Sequence, residues 1–135
     1  MDKALQLLSI ARKGGRIEVG EEPVSAIARA GKARLIVLAS DAAPHTQRRV
    51  ARYADTQPNL RIPFDKEALG QAVGRTACAI AAITDAALAL AFVRALDAPP
   101  PELEAFLSDK AQRLRKRQLE AQAHTRNVRS GKKKP

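Results

Sequence analysis

The sequence has few of the residues from which catalytic, metal-binding and base-stacking sites are built. Its 135 residues include one Cys, two His, three Phe, one Tyr and no Trp. A lone cysteine cannot form an internal disulfide, and Cys78 lies in an apolar run. We therefore predict a buried thiol that acts as a small hydrophobic side chain. The scarcity of aromatic rings argues against a surface on which single-stranded nucleic acids stack their bases.

Long apolar segments are also missing. No run of about twenty apolar residues is present, and the amino terminus, Met1-Asp2-Lys3, lacks the basic and then apolar residues of a secretory signal. We therefore expect a soluble, cytoplasmic protein that does not enter a membrane. A chain of 135 residues is long enough for one domain with a sizeable core and too short for two ordinary domains.

No grouping of residues predicts catalysis. Gly14-Gly15 precedes a predicted strand instead of following one, so it is interpreted as a helix stop and not as a phosphate loop. Asp41 and His45 have the spacing of two ligands on one helix face, but they lack a third. The adjacent acids Glu21-Glu22 suit a helix start and not facing acid-base catalysis. The sequence predicts no enzyme, no metal, no cofactor and no small-molecule substrate.

Positive charge is in excess, and it is unevenly placed. The formal net charge is +10. Residues 1–108 carry 14 Lys and Arg against 12 Asp and Glu, a net of +2, whereas residues 109–135 carry 10 against 2, a net of +8. A balance of this kind favours polyanionic partners, and without a membrane segment it favours nucleic acid.

Hydrophobic periodicity predicts one helix followed by four strand-helix units. The predicted helices cover residues 2–13, 23–30, 44–56, 66–73 and 86–96, and the predicted strands cover 16–20, 35–39, 60–64 and 77–83. The strands at 35–39 and 77–83 are continuously apolar, which is typical of interior strands covered on both faces. The alternation predicts an α/β protein whose mostly parallel or mixed sheet lies between helical layers.

A proline run, Ala98 to Pro101, predicts a boundary near residue 97, with a domain at 1–97 and a basic tail at 98–135. Within the tail, residues 102–123 are predicted to be helical with a thin apolar stripe, and the part from His124 is predicted to be disordered by itself. The stripe consists of Leu103, Phe106, Leu107 and Leu114. The candidate phosphate contacts of the tail are Arg113, Arg115, Lys116, Arg117, Lys132, Lys133 and Lys134.

Several blocks of sequence together resemble a known family. They are LSIARKGGR at 8–16, VGEE at 19–22, GKARLIVLASDA at 31–42, KEALGQAVGR at 66–75 and AAITD at 81–85. Their order and spacing resemble the kink-turn-binding ribosomal protein superfamily of the L-seven-Ae and L-thirty-e type, and most closely its bacterial YlxQ-like branch. The resemblance covers about residues 4–96, and the tail lies outside it.

The resemblance implies a three-layer α/β/α sandwich with a mixed four-stranded sheet, and it implies where RNA lies. RNA would meet the turn and helix start at Gly20–Ala26 and the loop Gly74–Ala77, where glycines allow close approach and helix amides face phosphate. Neighbouring cations would add phosphate contacts, although each alone is as often a solvated surface charge. The predicted RNA-binding residues are Arg12, Lys13, Arg16, Gly20, Glu21, Glu22, Lys32, Arg34, Gly74, Arg75, Thr76 and Ala77.

Three positions depart from the pattern G-x-N-E-x-x-K that the family's kink-turn binders carry. Glu22, Pro23 and Ala26 stand where the pattern has Asn, Glu and Lys. A carboxylate cannot donate hydrogen bonds as an amide does, proline has no side-chain acceptor, and alanine cannot contact phosphate. The chemistry of these positions argues against high-affinity recognition of a kink-turn.

Two functional hypotheses follow from the sequence. The first is a non-catalytic, ribosome-associated protein that recognises structured RNA by shape and phosphate contacts, with ribosomal RNA as the expected target. The alternative is a protein-interaction module on the same fold, which has lost RNA recognition and uses the 102–123 segment to dock a ribosomal or other protein.

Overall fold

The structure is a computed structural model that describes residues 2–131. Its helices are α1 (Lys3–Lys13), α2 (Glu21–Arg29), α3 (Pro44–Ala51), α4 (Lys66–Ala72), α5 (Ala86–Arg94) and α6 (Pro101–Gly131). Its strands are β1 (Ile17–Val19), β2 (Leu35–Leu38), β3 (Asn59–Arg61) and β4 (Ile80–Ile83). The α/β class and the predicted order of elements are confirmed. Three candidate tail contacts, Lys132, Lys133 and Lys134, lie outside the described residues.

The four strands form one mixed sheet in the order β1-β4-β2-β3. Strand β4 is antiparallel to both of its neighbours, whereas β2 and β3 are parallel. The register places Ile83 opposite Ile17 on one side and Leu35 on the other. Every residue of β2 and β4 is buried, which explains why these two strands are continuously apolar in the sequence.

Helices cover both faces of the sheet. On one side α2 packs on β1 and β4 and contacts α3; on the other side α1 contacts α4 and α5, and α5 packs on β4. The resulting α/β/α sandwich encloses a single hydrophobic cluster in which Leu8, Leu69 and Phe92 are fully buried. The three-layer architecture implied by the family resemblance is confirmed.

Carboxylate caps fix the starts of two helices. Asp65 and Asp85 each accept the amide of the residue three positions on, at 2.8 Å, which satisfies a free amide in the first turn of α4 and of α5. Neither Asp41 nor Thr46 caps α3, which begins at Pro44 without a side-chain cap. Asp41 instead accepts the first amide of α4, so it ties the end of β2 to the start of that helix.

Helix α6 extends beyond the predicted end near residue 123. It continues to Gly131, so residues 124–131, which belong to the segment predicted to be disordered by itself, are helical. Its first turns pack against α5, and they bury Leu107 completely in the same core as Phe92, with Leu103 packed alongside. The division of the chain at residue 97 remains a prediction, but the core of the sandwich includes a side chain from beyond it.

Candidate nucleic-acid interface

The strand directions give the sheet two ends that carry different loops. Strands β1 and β2 finish, and β4 begins, at what we call the Gly20 end, where Gly20 donates to Ile80 and Ala39 donates to Ala79. The same two strands begin, and β4 finishes, at what we call the Arg34 end, where Arg34 donates to Ile83. The predicted RNA-binding residues fall at both ends.

Gly20 forms the turn between β1 and α2. Its φ of 98° lies in the left-handed region that favours glycine, so a side chain at this position would strain the turn. It also serves as the N-cap of α2, and the cap makes no side-chain hydrogen bond to the first-turn amides of the helix. A ligand can therefore approach the first turn of α2 past a residue that has no side chain.

The loop from Gly74 to Ala77 lies beside this turn and is exposed throughout. Two backbone hydrogen bonds hold it against α4, from the Arg75 amide to the Gly70 carbonyl at 2.7 Å and from the Cys78 amide to the Lys66 carbonyl at 2.9 Å. The loop leads directly into β4. Its position relative to the sheet is therefore set by α4 on one side and by the strand on the other.

Arg75 brings the two predicted segments together. Its guanidinium nitrogen lies 3.7 Å from the point where a Cβ on Gly20 would be. The exposed Arg75 guanidinium therefore lies next to Gly20, which has no side chain to cover the backbone at the start of α2. The Gly20 end contains Gly20, Glu21, Glu22, Gly74, Arg75, Thr76 and Ala77 of the predicted set.

The acids Glu21 and Glu22 are engaged by α3, an arrangement that sequence reasoning missed. Thr46 donates to Glu21 at 2.7 Å, and Arg49 contacts Glu22 at 2.8 Å and Glu21 at 3.6 Å. His45 lies 3.7 Å from Glu21. Because His45 and Arg49 are four residues apart, they share a helix face, which was the available signal. The partnered carboxylates present less negative charge to a ligand than their number suggests.

The five remaining domain cations of the predicted set lie at the Arg34 end. They are Arg12, Lys13, Arg16, Lys32 and Arg34. Arg16 accepts the Thr84 amide through its carbonyl at 2.9 Å, and its guanidinium lies 3.5 Å from Asp85. The extended chain from Arg16 to Gly20 spans about 13 Å. The structure therefore divides the predicted RNA-binding residues between two separated surfaces.

The candidate phosphate contacts of the tail lie on α6. Arg115, Lys116 and Arg117 are exposed, and Arg113 pairs with Asp109 at 2.9 Å within the helix. These cations belong to the helix that packs on α5, so part of the tail charge is held in a fixed position relative to the domain.

Cys78 lies beneath the Gly20 end and is buried, as predicted. Its thiol donates to the Ile80 carbonyl at 3.1 Å. Burial raises the pKa of the Cys78 thiol, against the opposing effects of backbone hydrogen bonds and of the positive charge on Arg75. The neutral thiol is the form that fits this environment.

This pKa direction predicts a pH-dependent contribution to stability. A thiol whose pKa is raised by folding stabilises the protein below its ordinary pKa, and that contribution is lost as pH rises toward the folded value. We therefore expect the difference in unfolding free energy between the wild type and Cys78→Ala to shrink as the pH rises above the ordinary thiol pKa of about 8.5. Denaturant titrations at several pH values measure it, and a constant or growing difference would contradict the assignment.

Residues 2–131 contain no candidate metal site and no candidate membrane span. No group of three or more His, Cys, Asp and Glu side chains in this range is arranged to hold a metal ion. The two residues considered as ligands, Asp41 and His45, have separate partners, the α4 amide and Glu21. No helix in the same range is long and apolar enough to cross a membrane.

Comparison with known proteins identifies the family. The model of the ribosomal protein L7Ae/L30e/S12e/Gadd45 family matches residues 2–91, which include both segments of the Gly20 end and exclude α6. Among solved structures, a Bacillus halodurans protein of unknown function is 25% identical with a TM-score of 0.66, and the alignment covers 73% of this chain and 100% of that one. A Giardia lamblia 15.5 kD RNA binding protein is 24% identical with a TM-score of 0.54, covering 82% and 85% respectively, and it shows the shared fold. The fold and the matched residues agree with the resemblance seen in the sequence blocks, and the chain belongs to the ribosomal protein L7Ae/L30e/S12e/Gadd45 family.

Proposed function

We propose that this protein is a cytoplasmic, non-catalytic RNA-binding protein that contacts structured RNA, with ribosomal RNA as its target, through the Gly20 end. The observation that carries the proposal is the placement of Arg75 against the Gly20 turn in a member of this family. The two segments to which the family resemblance assigns RNA contact form one surface here.

The chemistry of this surface suits an RNA backbone. A guanidinium binds phosphate oxygens through paired hydrogen bonds, and the amides at a helix start favour negative charge. Because Gly20 has no side chain and the Arg75 guanidinium lies next to it, a phosphate that pairs with Arg75 also approaches the first turn of α2. Such contacts fix the position of an RNA and recognise its shape without reading its bases.

The partners of Glu22 bear on which RNA fits. Glu22 contacts Arg49 at 2.8 Å, Pro23 lies in the first turn of α2, and Ala26 ends in a methyl group. None of the three supplies the amide donor, acceptor or cation found at these positions in the kink-turn pattern. The proposed ligand is therefore a structured ribosomal RNA element other than a tightly bound kink-turn.

The proposal predicts a selective effect of Arg75→Gln. Overlapping fragments of ribosomal RNA are screened for one that the full chain binds more tightly than a plain duplex of equal length at the same salt concentration. We expect Arg75→Gln to weaken binding of that fragment by about tenfold, because one phosphate contact is lost. The matched control is Arg29→Gln, which removes one exposed charge in the last turn of α2, away from Gly20.

Two outcomes would contradict the proposal. One is that no ribosomal fragment binds more tightly than its matched duplex. The other is that Arg75→Gln and Arg29→Gln weaken binding equally, because the effect would then depend on net charge and not on the Gly20 end.

The alternative of a protein-docking segment loses its main surface. Of the apolar stripe predicted for docking, Leu107 is fully buried in the domain core and Leu103 packs against that core. Leu114 is half-buried, which leaves Phe106 at 39% exposure as the most accessible member. The stripe therefore holds α6 to its own domain, and the observations favour RNA binding over the docking of a partner by this helix.

A further inference from the structure

A groove between α5 and α6 opens at the Arg34 end of the sheet. Its charged lining residues are Arg34, Asp85, Arg94, Arg115 and Arg117. Arg34 comes from the turn before β2, whereas Arg115 and Arg117 come from α6, beyond the residues that match the family. The groove therefore exists only because α6 is added to the family fold.

Ion pairs neutralise only part of the charge on the residues that line the groove. Asp85 contacts Arg16 at 3.5 Å, and Arg94 contacts Glu104 at 2.9 Å. Among the side chains that the structure describes, Arg34, Arg115 and Arg117 have no carboxylate within ion-pairing distance. Three guanidinium groups thus line the groove without a matching negative charge.

Arg34 and Arg117 both lie close enough to Lys110 to repel its positive charge. The pKa of Lys110 is lowered, first by partial burial and then by repulsion from Arg34, Arg113 and Arg117. Of these, Arg34 belongs to the domain and the two others to α6. The positive potential at the groove therefore arises from both parts of the chain, and a bound polyanion would relieve the repulsion.

The shape and chemistry of the groove point to a chain of phosphates. Its volume of about 710 Å³ exceeds what a single anion fills. Its lining combines the hydrogen-bonding side chains of Thr84, Ser108, Gln112 and Gln118 with five apolar residues of α5 and α6, and it includes no aromatic ring for base stacking. Guanidinium forks and short polar groups recognise a sugar-phosphate backbone without reading its sequence.

We propose that the groove between α5 and α6 is a second RNA-binding surface, which holds backbone phosphates of the RNA through Arg34, Arg115 and Arg117. This inference rests on the proposed RNA-binding function. The exposed cations Arg12 and Lys13 precede β1 at the same end and extend the surface beyond the groove. Because about 13 Å of strand separates this end from Gly20, an RNA must extend beyond the Gly20 end to reach it.

The test compares two triple variants of the full chain on a plain 20-base-pair RNA duplex across a range of salt concentrations. The groove variant carries Arg34→Gln, Arg115→Gln and Arg117→Gln. The control carries Arg29→Gln, Arg52→Gln and Arg61→Gln, which remove the same charge from exposed positions outside the groove. We expect the salt slope of the groove variant to fall by about 2 to 3, at nearly one unit per lost phosphate contact, with at least tenfold weaker binding. We expect the control variant to change the slope by less than about 1.

The outcomes separate this proposal from the proposed function. If the two triple variants lose affinity equally, the groove is not a binding surface, while the Gly20 end stands on its own test with Arg75→Gln. If a polyglutamate peptide displaces the duplex as well as an unlabelled duplex does, the groove accepts acidic peptides and its assignment to RNA is wrong. If the wild type binds no RNA at low salt, both proposals fail.

Discussion

Replacing Gly70 by alanine lowers the free energy of unfolding by about 2 kcal/mol and weakens RNA binding at least as much as Arg75→Gln does. A Cβ on Gly70 would lie 2.7 Å from the Cα of Ala77, 2.8 Å from its nitrogen and 2.9 Å from the carbonyl oxygen of Arg75. All three atoms belong to the backbone, so no side-chain rotation relieves the contact. Either the loop moves away from α4 or the helix shifts.

The gain in helix propensity from glycine to alanine, about 1 kcal/mol, opposes this effect but is smaller than the cost of overpacking. The loop that must move carries Arg75, and its amide hydrogen bond to Gly70 is among those disturbed. Stability is measured by denaturant titration, and RNA affinity is measured on the fragment selected with the wild type.

Gly14→Ala is the matched control for this substitution. Gly14 has a φ of −86°, and a Cβ there would lie no closer than 3.5 Å to its neighbours outside the adjacent residues. We expect this variant to retain the stability of the wild type or to exceed it slightly. A Gly70→Ala protein that is as stable as Gly14→Ala, with unchanged RNA affinity, would show that α4 does not position the loop.

Replacing Leu107 by alanine has the second large effect, a loss of about 3 kcal/mol in the free energy of unfolding. Leu107 is fully buried and belongs to the same cluster as Phe92, although it lies outside the family match. Truncating it leaves a cavity between α5 and α6 and removes apolar contact from both helices. Thermal and denaturant unfolding of the full chain measure the loss.

Leu119→Ala on the same helix provides the control, because Leu119 is 56% exposed. We expect its effect to remain within about 0.5 kcal/mol. Equal effects of the two substitutions would mean that α6 does not contribute to the domain core. In that case the groove between α5 and α6 would lack the packing that holds Arg115 and Arg117 near Arg34.

The sequence predicted the sandwich well because its signals are local. Continuous apolar runs identified the two interior strands. The sequence does not reveal the extent of α6, because the distal part of this helix lacks an apolar stripe and its polar and basic composition is typical of disorder. Burial of Leu107 depends on contact with α5, which no local pattern reveals.

The spatial grouping of the candidate site residues could be predicted only in part, because it depends on how distant segments of the chain pack. The family resemblance placed Gly20 and Gly74–Ala77 together, and the structure joins them through Arg75. Arg16 was predicted to lie near Gly20 because of its positive charge. Strand β1 separates the two residues, so they lie at opposite ends of the sheet. The contact of Arg49 with Glu22 joins residues 27 positions apart in the chain, and it depends on how α2 and α3 pack.

The central claim, that RNA contacts the Gly20 end, is tested most directly by mapping amide chemical shifts of the isotopically labelled full chain as the selected ribosomal RNA fragment is added. We expect the largest changes at Gly20, Glu21, Arg75 and Thr76. Changes confined to α6, with these four amides unmoved at saturation, would contradict it.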